Sequence, residues 1–82
     1  MSLDKEKIVQ IQLPDPADDD PHPRLLVDGD GIHAGQSFMA LFPDGWKRIT
    51  LEIKWEETGA NCWYIATSGF KDVCPVGLFV KI

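Results

Sequence analysis

Two apolar runs meet at Phe42-Pro43-Asp44-Gly45, and that junction admits little besides a β-hairpin. Pro43 sets φ near about −65° for the first corner, Asp44 suits the second, and Gly45 supplies the positive φ that lets the chain re-enter a strand. The pattern is that of a type I turn leading into a three-residue loop with a bulge. Beyond it, Lys47, Ile49, Leu51, Ile53 and Trp55 alternate with Trp46, Arg48, Thr50, Glu52 and Lys54. A helix would scatter these apolar residues around its circumference, whereas a strand gathers them on one side. Trp55, on this alternation, belongs to the core.

The same period extends the reading along the chain. Residues 5–13 set Val9, Ile11 and Leu13 against Ile8, Gln10 and Gln12, a short strand. Residues 14–23 hold four Pro and four Asp, a density that leaves no regular element and predicts a solvated linker or long loop. Residues 24–27 start the compact part as a strand that ends at the turn signal Asp28-Gly29-Asp30-Gly31. Residues 37–42 are apolar on both sides, which predicts a central strand or one covered on its second face. Residues 62–67 return as a strand, with Trp63 and Ile65 inward because that register buries more apolar area, and Tyr64 outward near Glu52 and Lys54. Residues 68–77 read as an irregular connection with one helical turn, and Leu78, Val80 and Ile82 as a closing strand. The division is an N-terminal segment, 1–13, a tether, 14–23, and an all-β domain, 24–82. Short strands without an amphipathic helix predict a small SH3-like barrel of about five strands, closed to remove its edges.

Eighty-two residues suffice for one domain, in which three Trp, four Phe and one Tyr supply buried area. Thirteen acidic against eight basic residues give a net charge of −5, which weighs against nucleic acid and anionic membrane as partners. No apolar run approaches the roughly 18 residues of a membrane span, and the N-terminus lacks the apolar stretch of a signal peptide. A cytoplasmic protein with Cys62 and Cys74 as reduced thiols is the expectation.

The order of an Asp-Gly turn, Gly35 before an apolar strand, Asp44-Gly45-Trp46, Trp63-Tyr64-Ile65 and Gly77-Leu78-Phe79-Val80-Lys81-Ile82 resembles a family of short bacterial proteins of unknown function. The resemblance runs over about residues 25–82. It implies a cytoplasmic protein, in some members associated with mobile elements, and carries no activity. Residues 35–53 also resemble the first hairpin of SH3-like and Tudor-like barrels. That likeness implies an aromatic cage for a cationic side chain, with Phe42 and Trp46 as its matching members.

Candidate chemistry is sparse. Cys62, Cys74, His22 and His33 could ligate zinc, but the cysteines lie twelve apart without the close ligand pair a structural site uses, so no metal is expected. The Asp28–Gly31 stretch lacks the spacing of a calcium loop and reads as turn chemistry. Asp18-Asp19-Asp20 reads as a solvated tract. Cys74 with His33, or Ser37 with His33 and Asp30, are the nominal nucleophile and base sets, and nothing in their spacing joins them. The expectation is no enzyme and no cofactor, but a protein-interaction module binding through Trp46, Arg48, Thr50, Tyr64 and Phe42; for Trp46 the competing reading is that a bulge at Gly45 turns its ring into the core. Two alternatives stand beside it: self-association by addition of the N-terminal strand to a neighbour's sheet, and a nucleic-acid-binding small barrel.

Overall fold

The computed structural model describes residues 7–17 and 19–82. Residues 5 and 6 of the expected first strand, the N-terminal stretch 1–6 and Asp18 of the acidic run lie outside them. The described chain forms β1 (Ile8–Gln10), β2 (Leu26–Val27), β3 (Asp30–Gly31), β4 (Ser37–Phe42), β5 (Gly45–Ile53), a turn of 3-10 helix (Ala60–Cys62), β6 (Trp63–Ile65) and β7 (Phe79–Lys81). Five strands make an antiparallel sheet in the order β1-β7-β4-β5-β6, and β2-β3 form a separate two-stranded hairpin. A single bridge between Gln12 and Leu26 ties the hairpin to the chain just after β1.

The sheets do not close, and the SH3-like barrel expected from strand spacing is corrected to an open sheet. Closure would require β6 and β1, the two edges, to meet through further pairing. The chain between β6 and β7 instead folds into turns, with Phe70 N–H on the Thr67 carbonyl (3.3 Å), Val73 on Phe70 (3.0 Å) and Leu78 on Pro75 (3.2 Å). Turn-forming Gly69, Pro75 and Gly77 break what a strand would need there. The helical turn expected within 68–77 occurs at Ala60–Cys62 instead.

Both hairpins follow from local chemistry. Phe42 sits directly opposite Gly45, so the loop is Pro43-Asp44 alone, one residue shorter than expected, and Gly45 takes φ of 124° as the first strand residue. Val27 faces Asp30 across Asp28 and Gly29, whose φ values of 53° and 84° are both positive, as a tight two-residue turn of the I′ kind demands.

One face of the large sheet holds the core. Phe38, Ala40, Ile49, Leu51, Trp63, Ile65 and Val80 are buried there under Leu25, Val27 and Ile32, and Ile11 from the N-terminal segment joins the same cluster. Phe70, Val73, Val76 and Leu78 pack against its margin from the loop that replaces barrel closure. The predicted inward register of Trp63 and Ile65 holds, and the Trp63 indole Nε1–H donates to the Pro23 carbonyl at 2.8 Å.

Trp55 is corrected from core to surface, with 64% of its area exposed. The strand stops at Ile53, so alternation no longer decides its direction. Its ring meets His22 edge-on at 4.9 Å while His22 Nε2–H donates to the Trp55 carbonyl at 2.9 Å. With Gly59 N–H on the Pro21 carbonyl at 2.8 Å, these contacts seat the end of the Pro/Asp-rich segment on the sheet domain.

Candidate functional site

Among the described residues no chain crosses the opposite face of the sheet, and strand alternation determines what it displays. Facing Phe38, Ala40 and Phe42 inward turns Ser37, Met39 and Leu41 of β4 outward. Ile49 and Leu51 inward turn Trp46, Arg48, Thr50 and Glu52 of β5 outward, while Val80 inward turns out Phe79 and Lys81 of β7. Ile8 and Gln10 of β1 and Tyr64 of β6 complete the surface.

Register arranges these side chains into rows across the strands. Gln10 pairs with Phe79 and Leu41 with Trp46, and the next row runs Ile8, Lys81, Met39, Arg48. Ile8, Phe79, Leu41 and Met39 are 54, 47, 43 and 38% exposed. The face is therefore apolar and wet. Lys81 reaches diagonally over the Trp46 ring, its Nζ 4.4 Å from the ring centroid, an attraction of about 0.5–1 kcal/mol at an exposed site. A depression of ≈ 250 Å3 lies between Arg48 and Lys81, floored by Ser37, Phe38 and Met39. Ser37 Oγ and Thr50 Oγ1 are 2.8 Å apart and share a hydrogen bond, and Lys54 Nζ stands 5.3 Å from the Tyr64 ring centroid.

Of the five residues named from sequence, Trp46, Arg48, Thr50 and Tyr64 share this face. Phe42 does not. It faces inward, its ring 4.8 Å from that of Phe70. Phe42 and Trp46 thus lie on opposite sides of the sheet and cannot converge on one cation, so the Tudor-like cage is corrected as well. Met39, Leu41, Phe79 and Lys81 escaped the sequence reading. The signal was the parity of residues 37–42 and 79–81; a strand apolar on both sides was expected to be central or covered on its second face, and β4 is central with its second side exposed.

The nominal catalytic residues stand apart. Ser37 engages Thr50, His33 lines a hollow of ≈ 290 Å3 with His22, Arg24 and Trp55, and Cys74 lines another on the β6 side. Among the described residues no group of three or more His, Cys, Asp or Glu side chains is placed to hold a metal ion. The β6 hollows, ≈ 410 and ≈ 550 Å3, share Tyr64, Lys71, Asp72 and Val73. Cys62 is wholly buried and its thiol pKa is raised, chiefly by that burial and further by the charges of Asp20 and Glu57. Among the described residues no helix is long and apolar enough to cross a membrane.

Comparison with protein-family models, curated proteins and solved structures finds no match to this chain. The resemblance to the short bacterial family, and that of the hairpin to SH3-like barrels, is therefore not upheld. Of the short motifs behind it, the Asp-Gly turns and the Gly-Trp strand start are accounted for by hairpin chemistry, since they recur wherever tight turns join strands.

Proposed function

We propose that this protein is a protein-interaction module without catalytic activity, and that the outer sheet face carrying Trp46, Arg48, Thr50 and Tyr64 is its contact surface. One observation carries the reading. Ile8, Met39, Leu41 and Phe79 are exposed together on one continuous face, around a half-buried Trp46. Scattered apolar side chains need no explanation, but large ones adjoining on a flat face mark surfaces that a partner covers. Aromatic and Arg side chains among them match the residue types that dominate contact energies. β4 supports the reading from within: it is central by hydrogen bonding, yet among the described residues only one of its two apolar sides is covered.

Site-specific photo-crosslinking tests this. A photo-reactive phenylalanine derivative at position 41 should give a discrete protein adduct in cells that make the protein, while the same group at position 68 should not. Equal labelling from both positions, or none from position 41, would remove the support for this face.

A further inference from the structure

β6 is an edge of the large sheet, and only one side of it is paired. Lys54 N–H donates to the Cys62 carbonyl (2.7 Å), Ala66 N–H donates to the Thr50 carbonyl (2.8 Å), and Tyr64 stands opposite Glu52 between them. Antiparallel strands alternate bonded and non-bonded pairs, so Trp63 and Ile65 turn their N–H and C=O groups away from β5. Among the described residues none of these four groups has a hydrogen-bond partner. Trp63 and Ile65 are nevertheless only 4 and 2% exposed. Their outward main-chain groups are therefore unpaired and almost dry, a costly state for a backbone.

Two hollows run along this edge. The first, ≈ 410 Å3, is lined by Asn61, Trp63 and Tyr64, the second, ≈ 550 Å3, by residues 64–69, and residues 71–73 line both. From Trp63 to Thr67 the chain spans about 13 Å, the length of about four extended residues. Donors and acceptors repeat along it at main-chain spacing, which another extended main chain matches. Leu13, Val73 and Val76 beside the first hollow suit a β-branched or aromatic side chain. A second copy would bring its edge strand β1 with β7 attached, and that sheet would have to lie where residues 71–76 stand across the hollows. We propose that the hollows along β6 bind an extended segment of a partner protein, which adds to the sheet through the N–H and C=O groups of Trp63 and Ile65. The site goes beyond the outer contact face proposed above and shares Tyr64 with it.

Peptides selected from a displayed library of random 12-residue sequences on the immobilised full chain test the proposal. Their synthetic versions, N-methylated at one residue at a time, should lose affinity about tenfold or more at alternate positions, since only every second N–H of an added strand faces β6. Cys74 is exposed and lines the first hollow, so a bulky maleimide on its thiol should block binding, while Cys74→Ser should leave it intact. Leu41→Asp, on the outer face, should leave it intact as well. No enriched peptide, a loss without period two, or binding indifferent to the modified Cys74 would overturn the site. Peptides lost with Leu41→Asp alone would overturn it while supporting the outer contact face. A chain whose mass doubles with concentration, and no longer does so once Cys74 is modified, would overturn the partner segment and give the edge to a second copy.

Discussion

Cys62 and Cys74 are the same side chain in opposite surroundings. Cys62 is fully buried and Cys74 exposed. A thiol reagent at pH 8 should therefore modify Cys74 at once and Cys62 only as fast as the fold opens; two equally fast thiols would contradict the buried placement. The pH dependence follows in sign. The Cys62 pKa is raised on folding, so its contribution is fully present below the ordinary value of 9.0 and is lost as pH rises through the folded value. Denaturant midpoints should therefore fall on the alkaline side of pH 9.0 in the native chain and fall less in Cys62→Ala. The tryptophans divide similarly. Trp63→Phe removes the bond to the Pro23 carbonyl and part of a buried ring, a loss of about 1–3 kcal/mol. Trp55→Ala should cost less, since that ring is largely exposed. Chemical denaturation of both variants checks the order. Trp63 was legible in the sequence because burying it maximised apolar area. Trp55 was misread because alternation was carried past the end of its strand.

At the scale of the element, the β4–β5 hairpin rests on one backbone conformation. Gly45 holds φ of 124°, where any Cβ is strained, although nothing lies within 4 Å of the space a Cβ would fill. Gly45→Ala should therefore lower stability by about 1–2 kcal/mol through backbone strain alone, measurable as a shift in midpoint without change in the denaturant slope. A neutral result would mean that the turn relaxes. The N-terminal segment is the other informative element. Ile11 is 1% exposed and packs in the common core, while β1 pairs with β7 of its own chain. Ile11→Ala should cost about 2–5 kcal/mol, the range of a buried aliphatic cavity; a small effect would separate this segment from the core. Strand positions and inward faces were legible because period two is local. β3 was not, because Asp30-Gly31 carries no apolar pattern, and closure was not, because whether β6 and β1 meet depends on pairing that no single strand encodes.

For the whole molecule, the arrangement amounts to a sheet that buries one face and presents the other. The buried face takes its cover from the β2-β3 hairpin, Ile11 and the 66–78 loop, all from the same chain. The presented face gathers Met39, Leu41, Trp46, Arg48, Phe79 and Lys81 from three strands. Trp46, Arg48, Thr50 and Tyr64 could be read from sequence since they share one parity, while their apolar neighbours could not, since only the sheet order puts β7 beside β4. If the presented face exists for a partner, it contributes little to holding the isolated chain together. Chemical denaturation of Leu41→Asp at low protein concentration tests this most directly. The midpoint should stay within about 0.5 kcal/mol of the unaltered chain, as for other surface substitutions. A loss of about 2 kcal/mol or more would mean that Leu41 is interior, and that the face is part of the fold instead of a surface for binding.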